Sequence, residues 1–209
     1  TGSVEASGLT ATVADQASVV AGDTVVLDNA ELTAGALTAT ASLGDLSVKD
    51  AVITATKGGI TLTAEAADID ASSATLTAKD EVKLTANQSI TAEDASVEAA
   101  SLAMTANTGS VEATGFTATV AGQALVEAGD SVTLDGSKLG LGALTASAKS
   151  GDLSLKSAEL DISGAAKLTA QDTITATDAN VTSNSLTMTA NTGSVEASGL
   201  TATVADQAS

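Results

Sequence analysis

Carboxylates, hydroxyls and eight lysine amines are the side chains that this sequence offers for chemistry. Asp45, Asp68 and Asp152 each stand directly before a branched aliphatic residue (Leu46, Ile69, Leu153), and Asp23, Asp130 and Asp172 lie within a residue of the same place. If such positions stack about 4.8 Å apart in a coil, the carboxylates repel and could recruit Ca²⁺, a hard cation that takes oxygen ligands. Asp45, Asp68 and Asp152 are therefore the candidate calcium ligands, and Ca²⁺ is the only cofactor in view. Against this, Asp favours turns because it bonds its own backbone. The G-G-x-G-x-D calcium nonapeptide is missing. The turn reading is preferred.

Thr supplies the second set. Thr12, Thr33, Thr54, Thr77, Thr119, Thr182 and Thr203 recur at one spacing, interrupted by Glu98, Gly140 and Asp161. A flat Thr array resembles the binding face of β-helical ice-binding proteins, so a ligand-facing ladder for ice or a glycan is one reading. The neighbouring column holds Glu31, Val52, Lys138 and Glu159, which breaks the array. Thr also simply suits exposed strand positions because it is β-branched.

A catalytic constellation is not expected. The chain has no His, Cys, Tyr, Trp or Pro, and its eight basic residues are all Lys. Nothing is present to activate a Ser or Thr except Lys and carboxylates, and no Arg can clamp an anion. The reading is a non-enzyme with no catalytic residues.

The elements that must position these residues follow from a repeat. TGSVEASGLTATVADQAS fills residues 1–18 and returns unchanged at 192–209, and a variant begins at Thr108. Residues 1–107 and 108–191 read as two copies of one unit, of five and four rungs, with 192–209 opening the next. Within them a 21-residue register holds. Val4, Val25, Leu46, Ile69, Ile90, Val111, Val132, Leu153, Ile174 and Val195 form one branched aliphatic column, with a single step of 23 between Leu46 and Ile69. The two extra residues are expected near Lys57-Gly58-Gly59.

Seven residues on, Ala11 to Ala202 form a second column, and two beyond each column lies another apolar one, broken only by Ser183. Polar residues alternate between them, the period of a strand with one face in and one out. A third face is less regular, with pairs such as Leu37/Ala39, Ile60/Leu62 and Leu102/Met104. The expected fold is all-β, a right-handed parallel β-solenoid of about ten triangular rungs, each of three strands of about seven residues. The hand follows from the usual rule for parallel crossovers. Phe116 is the only aromatic residue, so the interior must be thin and filled by small aliphatics. Asp28 and Lys49, and likewise Asp135 and Lys156, share an outward column one rung apart and are expected to form charge pairs.

Net charge is −18, which repels nucleic acid and anionic membranes. No apolar run approaches the ~20 residues of a spanning helix. Neither a nucleic-acid partner nor membrane insertion is expected.

Strings such as GDLSLKSAELDISGAAKLTAQDTITATDANVTSNSLTMTANTGS resemble the repeats of filamentous-haemagglutinin-like adhesins. That resemblance implies a giant bacterial protein, secreted or displayed at the cell surface, often by two-partner secretion, with a β-helical shaft. It implies a structural or adhesive fibre segment. Its partners would be further copies of the same repeat end to end, its own kind laterally, or a host or neighbouring cell surface. Other giant repetitive bacterial surface-coat proteins would look similar.

Overall fold

The computed structural model describes residues 2–208, so Thr1 and Ser209, which bound the two copies of the repeated string, lie outside the described residues. Every element is a strand, and every pairing is parallel. Val, Ile, Leu and Thr alternate with polar residues through short runs that cannot bury a face alone. Laying each run on its equivalent one rung away buries that face. The result is a parallel β-solenoid of ten rungs.

The first column is an unbroken stack: Val4 pairs with Val25, then Leu46, Ile69, Ile90, Val111, Val132, Leu153, Ile174 and Val195. The second column stacks likewise, from Ala11 on Leu32 through Val181 on Ala202. Away from the two ends both columns are buried. The interior is a rod of Ala, Val, Leu and Ile a few side chains wide. Phe116 is buried within it at 1% exposure.

The faces are less even than three strands of seven. The first-face strands are two residues long, as in Val4–Glu5 and Val132–Thr133. The second and third faces join into strands such as Thr10–Ala21 and Thr117–Ala128, which bend through the corner between them. Strands of the first face form one ten-stranded sheet, and the other two faces share a second sheet. The reason lies in the corners. The turn after the first face forces one residue out of the strand region, whereas the next corner needs only a bulge in most rungs and interrupts the strand in rungs 3 to 5, as between Val52–Ala55 and Ile60–Ala64.

That forced turn is the same in every rung. Gly8, Asn29, Asp50, Ser73, Asp94, Gly115, Gly136, Ser157, Asp178 and Gly199 have φ between 53° and 67°. These are the residues that tolerate left-handed backbone best, Ser least among them. The turn is closed by bonds such as Ala30 N to Leu27 O and Ala51 N to Val48 O, both 3.2 Å. The residue after it points inward and is Ala in most rungs. In rung 6 it is Phe116, and in rung 7 Ser137, whose Oγ donates to the carbonyl of Ala113 at 2.6 Å.

The extra residues of rung 3 sit where the sequence places them. Four residues, 56–59, separate Ala55 from Ile60, where other rungs use two or three.

Candidate functional site

The acidic corner comes first. Asp45 Oδ1 accepts the backbone N–H of Asp68 at 3.1 Å, Asp68 Oδ1 that of Ser89 at 2.7 Å, and Asp152 Oδ1 that of Thr173 at 2.8 Å. Hydroxyls do the same work between them: Ser89 Oγ accepts from Ser110 N, Ser110 Oγ from Ser131 N, and Ser131 Oγ from Asp152 N, at 3.1–3.4 Å. The chain of caps thus runs unbroken from rung 3 to rung 9. The column reads Ser3, Thr24, Asp45, Asp68, Ser89, Ser110, Ser131, Asp152, Thr173 and Ser194, an oxygen-bearing side chain in every rung. The backbone N–H of this column falls outside the strand ladder, and a short oxygen side chain one rung back satisfies it.

Sequence reasoning singled out the Asp members and missed the Ser and Thr. The signal was the shared column, not the charge. Asp45 and Asp68 are neighbours, but Asp152 stands four rungs from Asp68, so the three candidate calcium ligands are not brought together. Among the described residues, no group of three His, Cys, Asp or Glu gathers in a way that could hold a metal ion.

The expected charge pairs come out differently. Asp28 Oδ1 accepts Ser47 Oγ at 2.5 Å and Lys49 N at 3.0 Å, and Asp135 Oδ1 accepts Ser154 Oγ at 2.6 Å and Lys156 N at 2.8 Å. These carboxylates bind the backbone of the next rung rather than its ammonium groups. Lys49 instead reaches onward to Asp70 Oδ2 at 2.7 Å. Where Asp70 follows Ser47 one rung on, Thr175 follows Ser154, so Lys156 has no such carboxylate to meet.

Burial pulls the Asp70 carboxyl upward, but the bonds from Lys49 Nζ, Ser72 Oγ and Ser72 N outweigh it and hold it below the usual carboxylate range. The hydrogen bond to Asp70 raises Lys49 in turn.

The Thr ladder is in register. Thr12, Thr33, Thr54 and Thr77 stack on consecutive rungs, Glu98 interrupts, Thr119 follows, Gly140 and Asp161 interrupt, and Thr182 and Thr203 close it. Gly140 leaves a shallow depression on this face, edged by Thr119, Lys138, Glu159, Asp161 and Thr182.

A second hydroxyl column, absent from the sequence reading, runs along the third face. Thr40, Thr63, Thr85 and Thr105 stack in order, then Glu127, Ser147, Thr169 and Thr189. Thr38 and Thr61 stand beside the first two of these, giving a small two-column patch. Lys83, Ala103 and Leu125 then replace Thr in the adjacent column.

No helix is long and apolar enough to cross a membrane among the described residues. Comparison with protein-family models, with curated proteins and with solved structures finds no match to this chain.

Proposed function

We propose that this chain is a segment of a structural or adhesive shaft, a stiff fibre or coat element of a giant extracellular bacterial protein of the filamentous-haemagglutinin-like kind, and not an enzyme. One observation carries the reading. Ten rungs stack in register, with every first-column residue on its equivalent, so the molecule has length without a centre. At about 4.8 Å per rung the rod is roughly 48 Å long. Its stability comes from nearest-neighbour stacking, which extends to any number of copies. Its partners would then be further copies in line, with lateral self-association or another cell's surface as additional contacts. A chain carrying several consecutive copies of residues 1–191 should appear by electron microscopy as a thin rod lengthening by one fixed increment per copy. Antibodies to the repeat should label intact cells of the source organism. Labelling confined to lysed cells overturns the surface role.

A second reading is a binding module for ice, a glycan or Ca²⁺. The paired hydroxyls of Thr38/Thr40 and Thr61/Thr63 favour it, alongside the ladder of Thr12 to Thr203. Thermal hysteresis or glycan retention that is lost on Thr61→Lys or Thr119→Lys would promote it over the shaft. Calcium that raises the melting temperature, with the rise abolished by Asp45→Ser and Asp68→Ser together, would make the acidic corner a metal site.

A further inference from the structure

Two different periods coexist along this chain. On the first and second faces the residue number rises by 21 from each partner to the next, save for the longer steps from Leu46 to Ile69 and from Ile53 to Leu76. On the third face the step alternates. It is 20 from Ala17 to Leu37, from Val82 to Leu102, from Ala124 to Leu144 and from Ala166 to Leu186. It is 22 from Leu102 to Ala124, from Leu144 to Ala166 and from Leu186 to Ala208. The cause is the corner between the second and third faces. It is wide in one rung (14–16, 121–123, 163–165) and one position narrower in the next (35–36, 142–143, 184–185). The opposite corner compensates, so the coil closes exactly only over a pair of rungs.

Backbone crowding explains why wide and narrow corners nest. A Cβ on Gly142 would stand 2.5 Å from the carbonyl oxygen of Ala121, and one on Gly164 2.6 Å from that of Gly142. One on Gly35 would press into the carbonyl of Asp15 in the same way. Each corner's backbone lies directly on that of its neighbour. Two corners of the same width would place bulge on bulge.

Rung 3 alone breaks the alternation. The number rises by 23 from Leu37 to its partner Ile60, and by 22 from Ile60 to Val82. Strike out positions 46–68, and Leu37 would meet Val82 after a step of 22; the alternation then runs without fault from Ala17 to Ala208. The stretch struck out is as long as the shortfall of the second sequence copy, 108–191, against the first, 1–107. The repeat at Thr192 returns after nine rungs, an odd number, yet rung 10 has the wide corner of rung 1. That is consistent only if one rung leaves the phase unchanged. Rung 3 achieves this with its longer corner, 56–59, tied down by Gly58 N to Gly35 O at 2.8 Å and by Lys57 Nζ to Asp15 Oδ1 at 3.0 Å.

We infer that the chain is built in two-rung steps, and that residues 46–68 are a supernumerary rung, the one place where the rod can change length by a single step. The inference stands on corner packing and rests on the shaft reading only for its use in setting length, so a stability test separates the two. Three deletions in the full chain decide it. Removing 46–68 keeps the alternation, removing 132–152 sets two wide corners together, and removing 132–173 takes out a whole pair. Followed by circular dichroism, the first and third should melt at least about 5 °C above the second, although the third has lost two rungs. Failure of only the 132–152 deletion to fold is the same result in extreme form. A melting temperature that simply falls with the number of rungs removed, or a 46–68 deletion no better than 132–152, overturns it, whatever the fibre does in the cell.

Discussion

The backbone nitrogen of Ser89 lies 2.7 Å from Oδ1 of Asp68, a residue one rung away. The carboxylate of one turn of the coil thus completes the hydrogen bonding of the next, and Ser89 does the same for Ser110. Because a hydroxyl serves the same purpose in Ser89, Ser110 and Ser131, Asp68→Ser should cost little, whereas Asp68→Ala should cost about 1 kcal/mol by urea unfolding. Equal losses in the two variants would mean that the carboxylate matters for its charge and not as an acceptor.

The left-handed corner gives a prediction of opposite sign. Ser73 and Ser157 hold φ of 58° and 54°, a region that costs a non-glycine residue about 1–2 kcal/mol. Ser157→Gly removes that cost but loosens the unfolded chain, so a net gain of up to about 1 kcal/mol is expected. Ser157→Val should be severely destabilising. A Val variant that melts with the parent would show that the corner is not held in this conformation in solution.

Ser183 interrupts an inward column between Ile162 and Val204, is 4% exposed, and its Oγ has no hydrogen-bond partner. A buried hydroxyl without a partner costs about 1–3 kcal/mol. Ser183→Ala should therefore stabilise by about 1 kcal/mol, and Ser183→Val by as much or more. Loss of stability in the Ala variant would refute the assignment.

The Lys49–Asp70 pair links stability to pH. Asp70 is held below its usual range in the folded chain, so its contribution is present above roughly pH 4 and fades as pH falls through the folded value. Lys49 is raised, so its share is present below roughly pH 10 and is lost as pH rises through its own folded value. The difference between the parent and Asp70→Asn isolates this pair from the general repulsion of the −18 charge. It should be small, because the lysine is solvated, flat near neutrality, and should shrink towards both limits. A difference that persists unchanged at pH 2 would assign the effect to packing.

How much of this was legible in the sequence follows from which periods are constant. The Val4 and Ala11 columns keep one step throughout almost the whole chain, so stacking, inward faces and the Thr12 ladder could be read directly. The third face alternates between a shorter and a longer step, so a fixed register smears it, and the Thr40 to Thr189 column stayed hidden. The left-handed corner was visible in principle as a column of Gly, Asn, Asp and Ser without a single branched aliphatic. The pairing of Asp28 with a backbone N–H rather than an ammonium was not. Both groups belong to Lys49, and only the direction of its side chain tells them apart.

Phe116 has a consequence beyond its own packing. A coil whose turns are interchangeable could thread one turn too early or too late and lose little, since every aliphatic would still find an aliphatic. An aromatic ring stands at a corner position that holds Ala in most rungs, followed one turn later by Ser137 bonded to Ala113. Threaded one turn off, the ring would take the place of Ser137 or of Ala95, so the single aromatic side chain of the interior makes neighbouring turns unequal in volume where the aliphatic columns leave them alike.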